Sequence, residues 1–231
     1  EKRNKLMTKK EGNNILIVAL ASNRGLCGGF NSSIIKQVKK ISENNSSGKV
    51  SVLPIGKKIN DVIKKTDLIA SNEELPNNNE LLWEKLSYEK IVPVAENLIE
   101  RFEKGDYDKI ILVYNSFKNA AIQIVIKDQF LPVVPNEDVK ESSSSMDYIF
   151  EPNQHEIITN LIPQSLKVKL YKAMLESLAS EHGARMTAMH KATDNATEMK
   201  KELLLFYNKA RQASITNEIL EIVGGAEALN G

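Results

Sequence analysis

The chain is poor in the residues on which covalent architecture and small-molecule chemistry usually depend. Cys27 is its one cysteine among 231 residues. An internal disulfide is therefore excluded, and the composition suits a reducing compartment or indifference to redox. Histidines number three, His155, His182 and His190. The last two are about two helical turns apart, too far to share one metal, and no carboxylate–histidine group has zinc or di-iron spacing. Charge of neither sign predominates: 31 Lys and Arg face 30 Asp and Glu, for a net charge of +1. Generic nucleic-acid binding, which needs a basic excess, is disfavoured. Long apolar runs are also missing. The longest, Ile15 to Ala21, has the length of a buried strand and falls far short of the ~20 residues of a membrane span. No signal-peptide pattern is visible.

What is present divides into two styles of sequence. The first half alternates strand-like and helix-like segments. Asn14–Ala21 reads as a buried strand, Asn31–Ser42 as an amphipathic helix, Lys49–Ile55 as a second strand closed by Gly56, and Lys57–Lys65 as a short helix. Leu68–Ala70 suggests an edge strand. Tyr88–Glu103 has helical spacing and stops at Gly105, with Pro93 expected near its start. Lys109–Phe117 is the strongest strand, and Ile122–Phe130 follows so closely that the two should pair antiparallel. The expected fold class is α/β, a Rossmann-like, mostly parallel sheet with an antiparallel edge strand. The Asn-, Lys- and Ser-rich stretches 44–49, 77–79 and 142–145 read as solvated surface loops.

The last quarter is different. Small or apolar residues recur at alternating steps of three and four through Val168, Tyr171, Leu175, Leu178, His182, Arg185, Met189, Ala192, Ala196, Met199, Leu203, Phe206, Ala210, Ala213, Asn217 and Leu220. Sustained for about seven heptads, this 3.5-residue period predicts a long coiled-coil helix that supercoils against another helix. Pro163 is expected in its first turn, where the missing N–H costs nothing. The resulting division is an end of an N-terminal coiled-coil helix over 1–12, an α/β foot domain over 13–150, a linking segment over 151–162 and the long helix over 163–231. The start, Glu1–Lys10, begins without Met and reads as the frayed end of a charged helix, so an N-terminal truncation is expected.

Two features invite a chemical reading. The turn Ser22-Asn-Arg-Gly-Leu-Cys-Gly-Gly, with Gly25, Cys27, Gly28 and Gly29, joins a strand to a helix and could cradle a phosphate on backbone N–H groups. It lacks the Gly-Lys-Ser/Thr of a P-loop and the GxGxxG fingerprint, which favours a tight structural turn. Arg24 beside Cys27 could activate the thiol, yet no His or Asp follows at a recognisable spacing. Within the seam, His182 and Arg185 are either a register device or a reach towards a partner. Further along, small seam residues (Ala210, Ala213) accompany an outer face carrying Arg211, Gln212, Thr216 and Glu218.

Two stretches, SNRGLCGGFN (Ser22–Asn31) and ASEHGARMTAMHKATDNATEMKKELLLFYNKARQASITNEILEIVGGAEAL (Ala179–Leu229), closely resemble the gamma subunit of F-type ATP synthases. ITNEILEIVGGAEA is the most specific part, and YDKIILVYNSFKNAAIQ and YIFEPNQHEI extend the likeness over essentially the whole chain. The resemblance implies a central rotor shaft in which the C-terminal helix pairs, antiparallel, with the chain's own first long helix. That helix is missing here, and Glu1–Glu11 resemble its final turns. Implied partners are the catalytic and non-catalytic nucleotide-binding ring subunits, an epsilon-type subunit and the membrane ring of proton-carrying subunits. The implied location is the cytoplasmic face of a bacterial inner membrane, favoured over a mitochondrial inner membrane, as a peripheral protein. The implied role is to couple proton flow to conformational cycling of catalytic sites in other subunits, with no cofactor and no catalytic residue in the shaft. By position, Arg211, Gln212, Thr216 and Glu218 match residues contacting the catalytic ring, and Arg185 matches one implicated in coupling.

Two rival readings remain. One is a small α/β enzyme using Arg24, Cys27 or a bound phosphate and dimerised through the helix. The other is an adaptor with the shaft's geometry and no torque coupling.

Overall fold

The computed structural model of the chain describes residues 5–8, 10, 12–45, 48–70, 80–84, 86–134 and 154–229. They fall into two compact units, Glu1–Thr187 and Ala188–Gly231. The loop expectations at 77–79 and 142–145, and part of that at 44–49, lie outside the described residues. Of the expected N-terminal helix end, Lys5–Met7 form one 3-10 turn.

The first unit is built on a four-stranded sheet of order β2-β1-β3-β4. Strand β1 is Ile15–Leu20, β2 Val50–Ile55, β3 Lys109–Phe117 and β4 Gln123–Leu131. β1 pairs parallel with both β2 and β3, and β3 pairs antiparallel with β4. The antiparallel pair follows from its short connection. Asn119 accepts from the N–H groups of Ala121 and Ile122 through Oδ1, at 3.0 and 2.7 Å, and this turns the chain back on itself. The third strand segment expected at Leu68–Ala70 reduces to a single parallel bridge, Val52 to Ile69. Pro54 lies in β2, on the sheet's edge, where a missing N–H is tolerated.

Helix α1 (Phe30–Asn44) links β1 to β2. Helices α2 (Lys57–Ile63), α3 (Glu80–Glu84) and α4 (Tyr88–Lys104) precede β3. The two crossovers, β1 to β2 and β2 to β3, run in opposite directions across the sheet, so right-handed connections put their main helices on opposite faces. One face buries Ile17, Ala19, Val52, Ile111 and Val113 with Ile34 and Val38 of α1 and Ile59 and Ile63 of α2. The other buries Leu16, Val18, Leu20, Ile110 and Leu112 with Ile91, Leu98 and Phe102 of α4. Alternation along each strand explains this: consecutive residues point to opposite faces, and both faces are apolar because both are covered. Gly105 caps α4 in the left-handed region, φ 93°. Pro93 sits in its second turn.

One helix, α5, runs from Gln154 to Leu229. It begins earlier than the heptads predict: Pro163 lies inside it rather than at its first turn. The proline supplies no N–H to the ladder there, a local loss that a long packed helix absorbs. Its residues Leu166, Leu170, Ala173 and Met174 complete the apolar core beside α4. Lys169 binds Asp128 Oδ1 at 3.0 Å and the Gln129 carbonyl at 2.8 Å, tying α5 to β4. Lys167 reaches Glu96 of α4 at 2.6 Å. Burial, reinforced by the carboxylates of Glu176 and Asp128, pushes the Tyr114 phenol up to about 12. In the second unit, helix residues 189–229 are exposed on every side.

Candidate partner interface

Helical geometry shows what α5 offers a partner. Residues 166, 170, 173, 174, 177, 180, 181 and 184 are buried. They lie on a side of the helix about 120° around from the heptad seam. The seam's own flank is left open: Val168 is 54% and Leu175 42% exposed, and His182 and Met189 are exposed too. Tyr171, Leu178 and Arg185, on the seam's other flank, are half-buried against the α/β unit. Tyr171 meets Tyr88 edge-on at 5.7 Å. Over residues 166–187 the helix thus has two apolar faces, one packed on the α/β unit and one left exposed among the described residues.

In the second unit the seam residues Met199, Leu203, Phe206, Ala210, Ala213 and Leu220 are all exposed. At about 100° per residue, Arg211 and Gln212 straddle the direction opposite that seam. Gln212 and Thr216 are one turn apart on one side, with the Thr216 hydroxyl donating to the Gln212 carbonyl at 2.8 Å. Arg211 and Glu218 are two turns apart on the neighbouring side. These four side chains are exposed; Arg211, Gln212 and Glu218 point away from the seam, and Thr216 lies on its flank. Arg185 belongs to the first unit. It is anchored instead: its Nη2 donates to Glu181 Oε1 at 2.7 Å, and Glu181 also accepts from the indole N–H of Trp83.

The glycine turn is a structural joint. Cys27 is 2% exposed and packs with Phe30 and Ala184 of α5. Its sulfur accepts from Asn31 Nδ2 at 3.2 Å and donates to the Arg24 carbonyl, so the arginine's backbone rather than its guanidinium meets the thiol. The Ser22 N–H donates to Asn31 Oδ1 at 3.0 Å, closing the turn. Leu26, 76% exposed, and Gly28 hold left-handed conformations, φ 63° and 56°. In open α/β sheets, ligands bind outside the carboxyl ends of the strands where the order reverses. Here that point lies between β1 and β3, and α5 fills it. Ala184 caps Cys27, the Ser180 hydroxyl donates to the Asn115 carbonyl at 2.9 Å, and Thr187 donates to the Ala120 carbonyl at 3.0 Å. A Cβ on Gly183 would lie 3.2 Å from the Ala120 Cα and the Phe117 ring. Among the described residues no group of His, Cys, Asp and Glu could hold a metal ion, and no helix is long and apolar enough to cross a membrane.

A family profile described as ATP synthase matches residues 1–229. The ATP synthase gamma chain of Flavobacterium johnsoniae is 55% identical over 224 residues, covering 97% of this chain and 76% of that one. The chain belongs to the ATP synthase gamma-chain family. The gamma chain of Christiangramia forsetii is 54% identical over 98% of this chain and 77% of its own length. The chain also resembles part of the Euglena gracilis mitochondrial ATP synthase OSCP/F1/c-ring structure, TM-score 0.68 at 20% identity, with 99% and 77% of the two chains covered. A Tetrahymena thermophila mitochondrial ATP synthase central stalk/c-ring structure matches with TM-score 0.58 at 25% identity, covering 80% and 79%. The mixed α/β sheet and long C-terminal helix expected from sequence are present, in a fold shared with these structures. Sequence reasoning missed Glu181 and Trp83. The Glu181–Arg185 spacing of i,i+4 was a visible signal; nothing marked Trp83 as their neighbour.

Proposed function

We propose that this gamma-family chain is the central shaft subunit of a proton-translocating ATP synthase. It turns with the membrane ring of proton-carrying subunits and drives the catalytic sites of the nucleotide-binding ring through their open and closed states. The observation that carries the proposal is the family match along the whole of α5, combined with an apolar heptad face that is uncovered among the described residues. The partner for that face is the chain's own N-terminal helix, in an antiparallel coil. The relatives extend beyond this chain by about a quarter of their length.

On this reading Arg211, Gln212, Thr216 and Glu218 touch loops of the ring, where acidic groups accept charge-assisted hydrogen bonds, and Arg185 makes a separate contact that serves coupling. The epsilon-type subunit and the membrane ring meet the α/β foot. The chain works at a membrane surface as a peripheral subunit. Chemistry stays in the ring subunits; the shaft contributes differential contacts, stronger in some rotational states than in others, which is all that coupling requires. The filled crevice at the carboxyl ends of β1 and β3 and the burial of Cys27 speak against the rival enzyme reading.

The test is Arg211→Ala and Gln212→Ala in the assembled complex. Both side chains lie outside seam and core, so assembly is retained. ATP hydrolysis or ATP-driven proton pumping falls by roughly fivefold or more, the lower end of typical coupling energies. Unchanged hydrolysis and pumping would remove these residues from the ring contact.

A further inference from the structure

We infer that Glu181 and Trp83 set where Arg185 points, and so act as positioning residues for its coupling contact. The inference rests on the reading of Arg185 given above. Glu181 is 4% exposed, and a carboxylate taken out of water is costly unless both oxygens are bonded. Both are: Oε2 accepts from the Trp83 indole N–H and Oε1 from Arg185 Nη2. Trp83, the chain's one tryptophan, is itself buried in the core beside α4 and α5. The carboxylate is thereby fixed from a second element, α3, and the guanidinium is fixed by the carboxylate.

Arg185 remains 24% exposed at its side chain, and a guanidinium has five donors, of which this bond uses one. The remaining edge is presented to a partner already oriented. An exposed arginine such as Arg211, with no partner among the described residues, surrenders rotamer freedom on contact. Arg185 has surrendered it beforehand, which is what preorganisation supplies. A coupling contact needs that property, because its strength must depend on the rotor's angle rather than on the side chain's own wandering.

The experiment uses the complete complex in lipid vesicles with Glu181→Gln, Arg185→Gln, the double variant and Trp83→Phe. The readout is protons pumped per ATP hydrolysed, with assembly yield and thermal stability measured alongside. Glu181→Gln keeps an acceptor for the indole and removes the charge that holds Arg185; it lowers pumping per ATP by roughly two- to tenfold. Arg185→Gln does the same, and the double variant is no worse than Arg185→Gln alone, since Glu181 acts through Arg185. Trp83→Phe keeps the ring and loses the donor, and shows a smaller loss in the same ratio. A merely structural role would change yield or melting temperature and leave the ratio alone. If Arg185→Gln is impaired while Glu181→Gln pumps normally, or if the two effects multiply fully, the inference is overturned and the role of Arg185 stands. If Arg185→Gln itself pumps normally, both fall.

Discussion

Four polar residues on one stretch of α5 show how much a single side chain's surroundings decide. Ser180 spends its hydroxyl on the Asn115 carbonyl and Thr187 on that of Ala120, and each bond fastens the helix to β3 or to the β3–β4 turn. Glu181 is a buried charge made tolerable by an arginine and an indole. Ser177 is as deeply buried, yet its Oγ has no partner among the described residues. An unsatisfied buried hydroxyl costs about 1–3 kcal/mol, while its replacement by a methyl leaves no polar atom stranded. Ser177→Ala is therefore expected to unfold at the same or a higher temperature than the parent chain, followed by circular dichroism. A drop in melting temperature would mean that the hydroxyl is bonded in solution.

The long helix illustrates what periodicity reveals and conceals. The seam through Leu175, Met189, Leu203 and Phe206 is legible because a 3.5-residue repeat persists far beyond what a globular helix needs. The second face, through Leu166, Leu170 and Met174, is not legible in that repeat. Leu and Met there read as ordinary helix formers, and a stripe on one side draws the eye from apolar residues on the other. The strands were plain, since runs such as Lys109–Phe117 are apolar on both faces. Helix α3 was invisible, being five residues long with no period to detect. The two faces of α5 separate in one comparison. Leu170→Ala, in the core, destabilises the chain by about 2–5 kcal/mol. Leu175→Ala, on the exposed seam, changes the chain's own stability by within about 0.5 kcal/mol but weakens incorporation into the complex. Chemical denaturation of the purified chain, set beside recovery of assembled complex, reads both effects. Equal destabilisation by the two would show that the seam is already covered within this chain.

For the molecule as a whole, the division of labour follows from what each part buries. The α/β unit covers both faces of its sheet and fills its strand-end crevice with α5. Residues 189–229 are all exposed, and among the described residues nothing covers their apolar seam. How much of the site was legible divides the same way. Arg185, Arg211, Gln212, Thr216 and Glu218 were named through likeness of their surrounding motifs, whereas the Trp83–Glu181 anchor needed the fold. The most direct test of the account is to recover this chain from native membranes with an antibody and identify what comes with it. The account predicts an ATP-hydrolysing complex containing a ring of nucleotide-binding subunits in defined proportion to the chain. Recovery as a homodimer paired through the C-terminal seam, with no ring subunits, would contradict it.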